Sequence, residues 1–171
     1  MRIAHRSVIA GLFAIIGVAR GGSAQDMGIK VGADAPAAAV VKLDGTAVDL
    51  ARMYGDMPVV LEFWATWCPL CRKLEPAMAA ARGKHAGHVM FVSVGVPSNQ
   101  SADKQREYVE KHEMTGEFVF DRDGAAMKAF AVPHTSYVVV IDRNRKVVYT
   151  GVGAEQDIEA ALQKAGIEPA R

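Results

Sequence analysis

A nearly unbroken apolar run, Val59 to Ala65, leads within three residues into Cys68-Pro69-Leu70-Cys71, and helical spacing starts there. The run is short and rich in β-branched and aromatic residues, which predicts a buried strand. Proline fits the first turn of a helix because its missing N–H had no partner there. Leu70, Leu74, Met78 and Ala81 then fall on one helical face, and Lys84 to Gly87 closes the helix. The two cysteines therefore straddle a strand-to-helix corner.

The rest of the chain reads around that corner. Ala38–Leu43 and Thr46–Leu50 form a hairpin about Asp44-Gly45. Val89–Val94 is a second buried strand, and Ser101–His112 a charged surface helix. Glu117–Phe120 is short and only weakly strand-like, so it is left out of the element order. Ala125–Phe130 is a short helix, Tyr137–Asp142 and Lys146–Thr150 a closing hairpin, and Gln156–Ala165 a terminal amphipathic helix. Helices alternating with buried strands predict one α/β sandwich domain over 25–171.

Residues 1–24 read as an address. Arg2, His5 and Arg6 precede an apolar run from Val8 to Ala19, and Gly22-Ser23-Ala24 offers small residues for cleavage before Gln25. The run is about a dozen residues, against the roughly 20 of a membrane span, so an uncleaved anchor is the lesser alternative. No cysteine precedes Gln25, which excludes a lipobox. Cleavage removes three arginines and no acid, taking the net charge from +1 to −2. Charges this balanced leave no broad footprint for nucleic acid.

Export gives a disulfide a place to persist. A bridge across two intervening residues closes almost no loop and stabilises little, so the pair points to chemistry. A thiolate is the nucleophile, and the start of a helix lowers its pKa through unpaired N–H groups and the macrodipole. Cys68 stands there, and Cys71 lies one turn in, placed to resolve a mixed disulfide. The alternatives are a static disulfide and half of a zinc site; zinc needs about four ligands and would have to draw on scattered histidines.

Glu62 interrupts the buried run, where an unpaired charge is costly. Burial raises such an acid's pKa, so Glu62 is a candidate to exchange a proton with Cys71; the alternative is a strand residue facing a polar pocket or solvent. Trp64 reads as core, Trp67 and Pro69 as partner-docking surface, and Arg72 and Lys73 as a solvated helix face. His85 and His88 read as a helix end.

The segment Phe63-Trp64-Ala65-Thr66-Trp67-Cys68-Pro69-Leu70-Cys71 resembles the active-site segment of thioredoxin-like proteins, above all the exported TlpA/ResA-like family. Val31-Gly32-Ala33-Asp34-Ala35-Pro36, and Ile141-Asp142 with Val148-Tyr149 and Gly151, extend the resemblance over most of residues 25–171. It implies a thioredoxin-like three-layer α/β/α sandwich with a mixed central sheet and an N-terminal β-hairpin. It also implies an exposed attacking Cys68, a buried resolving Cys71 and an acid at the place of Glu62. The implied partners are disulfides or thiols of exported proteins, such as apocytochromes or metalloproteins, with a membrane thiol carrier as electron donor. The implied cofactor is none beyond the Cys68–Cys71 disulfide.

One position departs from the pattern. The family sets a cis-proline opposite the cysteines, after threonine; a gapless alignment puts Thr135-Ser136 there, and using Pro133 instead needs an insertion. Thr135 and Ser136 are the expected substrate-binding loop, with its shape altered. The same loop, Val132-Pro133-His134-Thr135, resembles the Sco copper proteins, which implies an alternative function: copper held by Cys68, Cys71 and His134, a soft donor set. Peroxide reduction is a weaker third reading.

Overall fold

The computed structural model describes residues 27–168. Residues 1–26, where the expected signal segment and its cleavage point before Gln25 fall, and the final three residues lie outside them. Seven strands form a single mixed sheet: β1 (Ala39–Lys42), β2 (Ala47–Asp49), β3 (Val59–Trp64), β4 (Met90–Gly95), β5 (Glu117–Phe120), β6 (Tyr137–Ile141) and β7 (Val147–Val152). The helices are α1 (Pro69–Lys84), α2 (Ala102–Lys111), α3 (Ala125–Ala129) and α4 (Ile158–Gln163). The spatial order is β2-β1-β5-β4-β3-β6-β7.

β3 lies inside the sheet, between β4 and β6, and is buried on both faces. It runs parallel to β4, with Glu62 opposite Ser93, and antiparallel to β6, with Glu62 opposite Val138. Side chains alternate across the sheet. Val60 joins Val138 and Val140 beneath Leu74, Met78 and Ala81 of α1 and Ile158, Ala161 and Leu162 of α4. Val59, Leu61 and Phe63 pack on the opposite face with Ala126, Phe130 and Tyr108 of the α2–α3 side. Three layers result.

Glu117–Phe120 is a full strand, and the element order read from the sequence lacked it. β5 pairs antiparallel with β1 and parallel with β4, so it joins the N-terminal hairpin to the centre. Four residues carry too little periodicity to show this; pairing with strands about 25 and 80 residues away decides it.

Gly95, at the end of β4, has a structural reason. A Cβ there would run into the side chain of Gln105, which is fully buried and donates to the Val119 carbonyl at 3.3 Å. That close approach seats α2 over the end of the sheet where the cysteines lie. At the far end of α1, His85 is the C-cap, and its Nε2 lies 3.1 and 3.2 Å from the two carboxylate oxygens of Glu159 on α4. His85 therefore ties two helices together, and His88 is exposed. Among the described residues no helix is long and apolar enough to cross a membrane.

Candidate active site

β3 ends at Trp64, and the chain turns through Ala65–Trp67 into α1. Cys68 is the N-cap of α1 and Pro69 its first residue. The Cys71 amide donates to Cys68 Sγ at 3.0 Å, so an N–H that the helix leaves unpaired is aimed at this sulfur. Cys68 and Cys71 form a disulfide with Cα atoms 5.3 Å apart.

The loop Pro97–Gln100 holds the corner. Gln100 donates to the Val96 carbonyl at 2.6 Å and accepts from the Thr66 amide at 3.0 Å. The Trp67 indole N–H donates to the Ser98 carbonyl at 2.8 Å, which lays the ring along the surface, 44% exposed. Pro69 and Leu70 are exposed beside it. Trp64 is buried and packs against Tyr108 and Phe118.

The expectation that Cys68 is exposed is corrected. Cys68 is 1% exposed and Cys71 5%. The N-cap position turns the Cys68 sulfur toward the helix amides and into its own disulfide. The two cysteines differ in surroundings instead: only Cys71 lines the pocket beneath α1. That pocket, of about 460 Å³, also takes in Glu62, Glu75, Trp64, Tyr108 and Met114. Glu62 is 3% exposed. Burial pushes its carboxyl up from 4.5 to about 8; the negative charge of Glu75 adds to the rise, and Arg82 opposes it. Glu75 is also raised, by burial first, against the pull of Arg82. A helix-capped disulfide beside a buried acid whose carboxyl is pushed up to about 8 is equipped for thiol–disulfide exchange.

The comparisons agree with that geometry. The family model described as Redoxin matches residues 30–165. The chain belongs to the redoxin family. This redoxin is 30% identical over 140 residues to the thiol-disulfide oxidoreductase ResA of Geobacillus kaustophilus (strain HTA426), covering 79% of this chain and 78% of that protein. It is 28% identical over 143 residues to the thioredoxin-like protein YneN of Bacillus subtilis (strain 168), covering 82% and 83%. Among solved structures, a putative thiol:disulfide interchange protein DsbE from Chlorobium tepidum superposes with a TM-score of 0.69 at 28% identity, over 80% of this chain and 95% of that one. The fold is thioredoxin-like, and the redoxin is an oxidoreductase of the thiol–disulfide kind.

The loop read as substrate-binding divides. Thr135 is half-buried and His134 exposed, whereas Ser136 is fully buried. Ser136 is corrected as a substrate contact, because its polar groups are spent internally. Its amide donates to the Phe63 carbonyl at 2.8 Å, its hydroxyl to the Gly153 carbonyl at 2.9 Å, and its carbonyl accepts from Gly153 and Gln156. No peptide bond among the described residues is cis, and Ser136 has φ +62°. This left-handed backbone costs about 1–2 kcal/mol for a non-glycine residue, which the four hydrogen bonds offset. Restoring the family's residue is therefore expected to harm this redoxin. Proline cannot adopt a positive φ and has no N–H for Phe63, so Ser136→Pro should lose about 2–4 kcal/mol in a denaturant titration. Unchanged stability would mean that the loop rebuilds freely.

Among the described residues no three His, Cys, Asp or Glu side chains form a group able to hold a metal ion, so His134 is not gathered with Cys68 and Cys71. Sequence reasoning missed Gln100, Glu75 and Arg82. Gln100 leaves no signal in a connecting loop, but Glu75 and Arg82 lie four and eleven residues after Cys71, a helical spacing that puts all three on one face.

Proposed function

We propose that the protein, freed of residues 1–24, works outside the cytoplasm as a reductant of disulfides in exported proteins. The observation that carries this is the asymmetry of the pair: a helix amide is aimed at Cys68 Sγ, while Cys71 opens onto the pocket of Glu62. The Cys68 thiolate attacks one sulfur of a substrate disulfide; a Cys68–substrate bond forms, and one substrate thiolate leaves. Glu62 then takes the proton of Cys71, whose thiolate attacks Cys68 Sγ. The Cys68–Cys71 disulfide forms and the second substrate thiolate leaves, so two electrons have passed to the substrate. A carboxyl near 8 is close to an ordinary thiol at about 8.5, so this proton moves at little cost in free energy.

Exposed Trp67, Pro69 and Leu70, together with half-buried Thr135, form the docking rim for the substrate chain. Disulfides of apocytochromes or metalloproteins are the substrate class, reduced to their thiols, and a membrane thiol carrier restores the reduced pair. Export is supported by the basic-apolar-small pattern of residues 1–24.

Equilibration of residues 25–171 in dithiothreitol or glutathione buffers tests the direction of electron flow. A potential near −270 mV, as in thioredoxin, is expected for a reductant. A value near −120 mV, as in a strong oxidant, would reverse the assignment.

A further inference from the structure

Cys71, Glu75, Met78 and Arg82 form one stripe along α1, at spacings of four, three and four residues. Met78 is buried against the sheet. Glu75 lines the same pocket as Glu62 and Cys71. Arg82 is 8% exposed; its Nη2 pairs with Glu75, and its Nε and Nη1 are buried without a partner. A guanidinium in this position is costly to bury. The pair spans two turns of one helix, so it ties no second element to α1. Its effect is to fix a negative and a positive charge beside the pocket.

We propose that Glu75, held by Arg82, is a positioning residue for the exchange: it sets the charge that Glu62 faces across the pocket, and through Glu62 the pH at which Cys71 is activated. This rests on the reading that Glu62 exchanges a proton with Cys71. Two carboxylates and one guanidinium carry a net charge of −1 when both acids are ionised and zero when one proton is held between them. Like charges sharing such a site retain that proton, and the two acids titrate as a pair. The other titratable or charged groups facing the pocket are Arg72 on α1, Tyr108 and His112 of the α2 end, and Glu113 after it. The neighbouring strands place only uncharged Ser93 and Val138 opposite Glu62. The direction of each charge agrees: Glu75 raises the proton affinity of Glu62, and Arg82 lowers it.

The test reads the Glu62 carboxyl directly, by carbon-13 NMR titration, alongside the pH profile of disulfide reduction. Glu75→Gln is nearly isosteric and is expected to move both midpoints down by about one pH unit. Arg82→Gln should move both up, and Arg82→Lys should hold them near the wild-type values. In a Glu62→Gln background, Glu75→Gln should leave the reduction profile unshifted. A Glu62 titration that stays in place in Glu75→Gln overturns the proposal, whether or not the Arg82 variants fold. A titration that moves while the reduction profile does not follow overturns the proton-exchange role beneath it.

Discussion

Cys71→Ser is expected to lower turnover on a disulfide substrate by at least about a thousandfold and to leave the substrate covalently attached to Cys68. The argument lies in the two surroundings. Cys68 caps α1, and its sulfur accepts the amide of residue 71, a bond the backbone supplies whatever side chain stands there. Serine at 71 therefore keeps the features that stabilise the attacking thiolate and removes only the group that resolves the adduct. Cys68→Ser should be equally inactive and should trap nothing, because Cys71 opens onto an apolar, acid-lined pocket with no such donor. Mass spectrometry after incubation with a small disulfide separates the cases. An adduct on Cys71 in Cys68→Ser, with none on Cys68 in Cys71→Ser, would exchange the two roles. Neither variant should lose much stability through the missing bridge, which closes a very short loop.

How much of this could be read beforehand depended on how local each signal was. The strand-to-helix corner is local: Val59–Ala65, Pro69 and the spacing of Leu74, Met78 and Ala81 sit within about 25 residues, and they place the cysteines on α1. Glu62 was legible for the same reason, as one charge inside an apolar run. β5 was not, because Glu117–Phe120 becomes a strand only by lying between β1 and β4. The burial of Cys68 was hidden too, since a resemblance transfers a role without transferring which way a sulfur turns. Ser136 shows the same limit. Its place after Thr135 was readable, but its positive φ and its bonds to Phe63 and Gly153 depend on β3 and β7 flanking β6 on either side of it. Gln100 is tertiary in the same sense, whereas the Glu75–Arg82 pair lies within α1, and only its helical phase with Cys71 was on view.

Glu62→Gln is expected to stabilise the oxidised protein at alkaline pH while slowing the exchange. Burial holds the Glu62 proton up to about pH 8 in the folded chain, whereas the unfolded chain releases it near 4.5. Between those values the folded state binds the extra proton, so stability falls as pH rises. The loss is nil below about 4.5 and complete above about 8, on the order of 5 kcal/mol at 1.36 kcal/mol per pH unit. Glutamine has no proton to release and escapes this loss. The stability gain of Glu62→Gln over wild type should thus be near zero at pH 4, grow through neutrality and level off above pH 8. Denaturant titrations across that range measure it. A gain that does not vary with pH would mean that water in the pocket hydrates Glu62 as an ordinary surface acid. Kinetics on the same variant should move the other way. With no carboxylate to take the proton of Cys71, the resolving step should fall by about 10²-fold or more, the usual scale for losing a general base. A purely structural acid would give the stability curve alone. Only an acid that moves the thiol proton gives both, with opposite signs and around the same pH.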